Sequence, residues 1–181
     1  MKDIFQILRT EHSRIQEALN HLTAYNEKPD HGNDTQVRPS CDWIEKITDI
    51  QCEITGHHRA EEAVFYDTLR WIPHQGELAD FKQHEHRRIE SALSEIKKMS
   101  LTDSELTSRM LSLKDLVCAH FNEEETKLFA IIRPIISSEK SAILGEQFET
   151  LRELTFETAK YRLLERTNSN LKDVDFALDT E

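Results

Sequence analysis

Two stretches of the chain carry one pattern: HHRAEEAVFY beginning at His57 and HFNEEETKLF beginning at His120 each run from a histidine through paired glutamates to an apolar-aromatic end. In a helix, residues four apart share a face, so His57 with Glu61 and His120 with Glu124 each aim an imidazole and a carboxylate the same way. A second repeat precedes each copy: EHSRIQEALNHL, carrying His12, and EHRRIESALSEI, carrying His86. The chain therefore reads as two similar helical hairpins, each supplying a lone histidine and then a His-x3-Glu pair. Each such pair is half of a metal site.

At 181 residues the chain is long enough for one domain with its own core. With only 4 Gly and 4 Pro, long helices are favoured over a turn-rich sheet protein. Apolar periodicity and turn residues predict helices over 2–26, 41–71, 77–99, 103–133 and 138–167. Ser40 closes a Pro- and Asx-rich loop as the N-cap of the second helix, Pro73 and Gly76 mark the next turn, and Thr102 with Glu105 forms a capping box. Gly56 interrupts the second helix beside His57, either simply tolerated in a long helix or marking a close backbone approach near the site. The expected fold is all-α: an antiparallel up-down four-helix bundle over 1–135, then an additional C-terminal helix over 136–167. That fifth helix either packs on the bundle or forms a contact in a homodimer. Residues 168–181 are polar and acidic with few anchors and are expected to form a disordered tail.

Heights along the helices test the metal-site reading independently of the motifs. In an up-down bundle, residues at one level are equally far from the turn joining their helices. His12 and His57 lie about 14 and 16 residues from the first turn, roughly 21 and 24 Å at the helical rise. Glu61 and His86 lie about 10 and 9 residues from the second turn, and His86 and His120 about 13 and 17 from the third. His12, His57, Glu61, His86, His120 and Glu124 can therefore converge inside the bundle.

The net charge of −11 would repel a nucleic-acid backbone or an anionic membrane, so neither is an expected partner. The start, MKDIFQILRTEH, is unlike a secretory signal, and no uncharged apolar run is long enough to span a bilayer. Cys41, Cys52 and Cys118 are an odd number without CxxC spacing, which fits reduced thiols. A cytoplasmic protein is expected.

Imidazoles and carboxylates from four helices suit a borderline transition metal better than calcium or magnesium, with iron leading. The two carboxylates could each bridge a pair of ions. Structural zinc sites are closed and rich in cysteine, and no cysteine falls on the ligand face. A zinc protease would need His-Glu-x-x-His, whereas His84-Glu85-His86 is followed by Arg88 at the second histidine's place. Ferritin-like bundles use Glu-x-x-His, and no Glu stands three residues before a histidine here.

The doubled EHxRI and HxxxEExxxF strings resemble the hemerythrin-like family, the HHE cation-binding domains, over about Ile4 to Ile132. That resemblance implies a non-heme di-iron site with ligands His12, His57, Glu61, His86, His120 and Glu124. Glu61 and Glu124 would bridge the irons, alongside an oxo or hydroxo bridge, and O2, NO or peroxide would be the small ligand. Oxygen carriers in this family add a fifth histidine from a His-x3-His pair on the third helix. Here the positions four residues to either side of His86 are Lys82 and Glu90. Either one iron has an open, water-filled position or Glu90 supplies an oxygen ligand, which implies reaction or sensing more than reversible carriage. His58 aligns with Phe121 and is read as lining the core beside the site in preference to binding metal; Phe65, Tyr66, Leu128 and Phe129, one turn beyond the carboxylates, are read as core packing. Glu62 and Glu125 are read as carboxylates around the ligands or in solvent, and His21, His31 and His74 as surface residues. The functional expectation is oxygen handling, defence against oxidative or nitrosative stress, or iron-linked redox sensing. The alternative is a non-catalytic iron- or oxygen-responsive module signalling through the C-terminal helix.

Overall fold

The computed structural model describes residues 3–26, 41–100 and 103–178. They form five helical rods, with no strand among the described residues. The first rod is α1 (Ile4–Asn26); the second joins α2 (Cys41–Glu61), a π-helical turn (Glu62–Tyr66) and α3 (Asp67–Arg70). The third is α4 (Gly76–Ile96); the fourth joins α5 (Leu106–Glu123), a second π-helical turn (Glu124–Leu128) and α6 (Phe129–Ile132). The fifth is α7 (Ser138–Leu178). Neighbouring rods pack in the order first, second, third, fourth and back to the first, as an up-down bundle requires, while α7 lies along α2 and α1.

Local chemistry sets the ends. Asp3 accepts the Gln6 N–H at 2.7 Å and so caps α1, one of the donors a helix start leaves orphaned. Asp103 accepts the Glu105 N–H at 2.9 Å, which holds a turn and delays α5 to Leu106. Thr102, the expected capping residue, and Ser40 with its loop lie outside the described residues. The reversal into α4 is made by His74 at φ 66°, while Gly76 opens the helix.

Both π-helical turns begin at or just after a carboxylate of the repeat, and both were invisible to a period of 3.6. In the fourth rod the Phe129 N–H reaches back to the Glu124 carbonyl, inserting one residue into the turn. The inserted residue rotates everything beyond it by about 100°. Val64, Phe65 and Tyr66 are buried in succession within the first of these turns.

The core falls into two apolar clusters. One gathers Ile4, Leu8, Phe65, Leu69, Phe129 and Ile132; the other gathers Ile15, Trp43, Ile54, Ile89, Val117 and Phe121. His12 lies between Leu8 and Ile15 on α1, and each other rod of the bundle passes from one cluster to the other through its own ligand candidates. The buried imidazoles and carboxylates thus form a polar layer between two apolar plugs.

α7 covers that layer. Leu144 and Phe148 are buried beneath it, and its backbone approaches α2 at Gly56, where an added Cβ would stand 3.0 Å from the Arg152 carbonyl and 3.3 Å from Phe156 Cβ. Arg152 is pinned by Glu53 at 2.6 Å and Glu11 at 2.9 Å, with Arg14 completing the cluster by reaching Glu53 at 2.7 Å. α7 continues to Leu178, through most of the stretch expected as a tail, because no Gly or Pro follows Gly145 to stop it.

Close packing at Gly56 makes its substitution a test of α7 docking. Gly56→Ala gains up to about 1 kcal/mol of helix propensity but overpacks a backbone contact at about 1–3 kcal/mol, so a net loss of about 1 kcal/mol is expected. Gly76→Ala, with no neighbour within 4 Å, should be neutral or mildly stabilising. Urea unfolding of both variants checks this.

Candidate metal centre

The polar layer is built from one or two turns of each rod of the bundle. His12, His57, Glu61, His86, His120 and Glu124 are all buried to within a few per cent. They fall into two groups: His12, His57, Glu61 and Glu124, then Glu61, His86, His120 and Glu124, each group placing its ligand atoms within 4.8 Å of one another. The two carboxylates belong to both.

Distances within the layer are those of donors facing a common point. His12 Nε2 lies 3.4 Å from Glu124 and 3.9 Å from Glu61; His57 Nε2 and His86 Nε2 each lie 3.4 Å from Glu61; His120 Nε2 lies 3.5 Å from Glu124. His86 Nε2 and His120 Nε2 stand 3.0 Å apart. Most of these contacts are long for hydrogen bonds. His12 Nε2, both nitrogens of His57, both oxygens of Glu61 and one oxygen of Glu124 have no protein partner although buried. Orphaned buried groups of this kind carry a desolvation penalty that a cation between them removes, so the residues fit a metal.

A ring of carboxylates stands behind the imidazoles. His12 Nδ1 donates to Glu125 at 2.8 Å, His86 Nδ1 to Glu62 at 3.0 Å and His120 Nδ1 to Glu85 at 2.9 Å. Each contact puts the proton on Nδ1 and turns the Nε2 lone pair into the layer. Arg9 braces Glu125 at 3.2 Å, and Lys82, itself buried, braces Glu85 at 2.6 Å and Glu123 at 2.8 Å. His57 is the exception: its Nδ1 has no partner, and the rings of Phe121 and Phe148 pack around it at 5.3 and 5.6 Å.

Some expectations change at this point. Tyr66, read as apolar wall, sends its hydroxyl into the layer, where it donates to Glu124 and stands 3.0 Å from His86 Nε2. Burial, reinforced by Glu124 and Glu61, pushes its pKa well above the ordinary phenol range, so it remains a donor. The inserted π-turn residue brings it inward, which explains why helical periodicity missed it. Glu90, weighed as an oxygen ligand, faces away from both groups: it accepts from His58 at 3.2 Å and from Arg59 at 2.9 Å. His58 is buried, and its ring stacks on His86 at 3.7 Å. Glu85 had no signal in the sequence, since its role depends on α4 facing α5. His21 is exposed, and His84 is exposed. Cys52 is buried and Cys118 half-buried, both as free thiols. Among the described residues, no helix is long and apolar enough to cross a membrane.

The chain matches the family described as hemerythrin HHE cation binding domain over residues 3–132. It is 34% identical over 119 residues to a protein of a Nostoc species named DNA nickase; the match covers 65% of this chain but only 31% of that relative's length. Among solved structures it resembles a hemerythrin HHE cation binding domain-containing protein from Mycobacterium kansasii, with a TM-score of 0.72 at 21% identity, covering 90% of this chain and 93% of the other. That structural likeness extends past the family match and so takes in part of the fifth rod.

Without a metal, the layer holds protons. Burial works against a charge on His12, but Glu125, Glu61 and Glu124 outweigh it and lift its pKa to about 9. Burial and the neighbouring Glu61 push Glu124 up to about 7. Both groups bind protons more tightly folded than unfolded, so stability falls with rising pH, through Glu124 between 4.5 and about 7 and through His12 between 6.5 and about 9. A bound cation replaces those protons. The urea midpoint of metal-free protein should therefore drop from pH 6.5 to 9, and Co(II) should abolish the drop while releasing protons to a pH-indicator dye.

Proposed function

Since the chain belongs to the hemerythrin HHE cation-binding family, we propose that it is a non-heme di-iron protein that binds or reacts with O2, NO or peroxide. His12 and His57 would hold one ion, His86 and His120 the other, with Glu61 and Glu124 shared between them. The observation that carries this reading is the sharing itself: two buried donor groups overlap in two carboxylates that lack protein partners for most of their oxygens. Iron held by these residues would supply redox chemistry toward a small oxidant.

The chain's own residues supply the rest. Glu125, Glu62 and Glu85 fix the imidazoles of His12, His86 and His120, so the donors are set before a metal arrives. The apolar plugs on both sides keep bulk water from the layer. Tyr66 offers a hydrogen-bond donor between His86 and Glu124, where charge develops when a small ligand is reduced. DNA cleavage is left out of the proposal, because the Nostoc relative is matched over a third of its length and the net charge is −11.

A second reading, an iron- or oxygen-responsive module, draws on α7. Phe148 packs on His57, and α7's backbone meets α2 at the neighbouring Gly56. A change in His57 would be felt directly by the fifth rod.

Protein purified in air should contain about two irons per chain and show oxo-bridged ferric absorption bands. His57→Ala or His120→Ala should each lower metal content by about half, whereas His21→Ala should leave it unchanged. Metal-free protein of unaltered stability would refute the reading. Catalytic consumption of peroxide or NO marks an enzyme; stoichiometric binding with altered proteolysis of α7 marks the sensor.

A further inference from the structure

His58 follows His57 directly, and the repeat pairs it with Phe121 rather than with a ligand. Consecutive residues on a helix point about 100° apart. The two rings accordingly diverge, with centroids 6.0 Å apart and planes tilted by 56°. His57 turns to His12, 5.0 Å away, whereas His58 lies flat on His86 at 3.7 Å, so an ion held by both requires one of these rings to turn about its Cβ–Cγ bond, and stands edge-on to His120 at 6.0 Å. His58, His86 and His120, all buried, bring one ligand nitrogen each within 4.8 Å of one another.

His58 is also held as the ligand imidazoles are held. Its Nδ1 donates to Glu90 at 3.2 Å, and Arg59 pins that carboxylate at 2.9 Å. The arrangement repeats His12 with Glu125 and Arg9, and His120 with Glu85 and Lys82. On α4, Lys82 is committed to Glu85 and Glu123 and Glu90 to His58 and Arg59, so neither fills a further ligand position.

We propose that His58 is a metal ligand, the third imidazole of the site formed by His86 and His120, and that this site therefore holds its ion more tightly than the His12–His57 site. The proposal rests on the two-metal reading above. One site has three imidazoles, each oriented by a carboxylate. The other has two, and His57 has no carboxylate behind it. Such orienting partners are each worth about 10–100-fold in affinity.

The test is an anaerobic titration of metal-free protein with Co(II), followed by calorimetry and d–d absorption. Wild type should fill in two steps at least about tenfold apart in affinity. His58→Gln and His58→Phe should weaken the tighter step by at least about tenfold and leave the weaker one unchanged. His57→Gln should weaken only the second step. Glu90→Gln, at a half-exposed position less critical for folding, should shift the tighter step in the same sense as His58→Gln but by less. Circular dichroism separates lost ligation from lost fold, and His58→Phe keeps a ring stacked on His86. Should His58→Phe and Glu90→Gln both titrate as wild type while His120→Gln loses binding, His58 is no ligand and the two-metal reading survives. Absence of Co(II) binding by wild type overturns both.

Discussion

A layer of imidazoles and carboxylates buried between two apolar plugs is the constraint that the rest of the molecule serves. Burying such groups without partners costs several kcal/mol each, far more than a marginally stable domain can leave uncompensated. Every rod of the bundle answers that constraint in the same way. It carries an inward donor at one level and, except behind His57, a carboxylate from a neighbouring rod that fixes the donor's orientation. The outer carboxylates are in turn tied to Arg9, Arg59 and Lys82. The imidazoles are thereby backed by carboxylates and these by cations, of which Arg9 and Arg59 are exposed and Lys82 is buried.

The doubling of the hairpin is only approximate, and the departures matter. His57 and His120 match, as do Glu61 and Glu124, yet the next turns differ: Tyr66 places a hydroxyl in the layer where Phe129, its counterpart, packs on Phe5 at 5.1 Å. His58 likewise faces the layer where Phe121 stacks on His12 at 4.0 Å. Each polar member of these pairs lies on the second rod, and each aromatic member on the fourth. A symmetrical backbone thus presents an unsymmetrical set of donors.

Much of this was legible beforehand because it depends on local period. The rods, their antiparallel order and the convergence of His12, His57, Glu61, His86, His120 and Glu124 at one level follow from spacing and from equal distances to the turns. What was not legible depends on contacts across rods or on a break in period. Glu85 and Glu90 acquire partners only when α4 meets α5 and α2. Tyr66 turns inward only because a residue is inserted at Glu62–Tyr66, and nothing in the composition of EAVFY announces a π-helical turn. His58, aligned with Phe121, is buried beside the site as expected, but its pairing with Glu90 was not legible, since a repeat identifies what two halves share and conceals what one half has gained.

The length of α7 gives its contact at Gly56 a mechanical meaning. At 1.5 Å per residue, the 41 residues of this helix extend about 60 Å, roughly twice the length of α4. Arg152 and Phe156 touch α2 at Gly56 and Lys160 reaches Asp49 at 3.6 Å, so about 27 Å of the helix runs on from there to Leu178. Those contacts would act as a fulcrum for the stretch beyond them: a tilt of about 5° beside His57 would carry the distal end through roughly 2 Å.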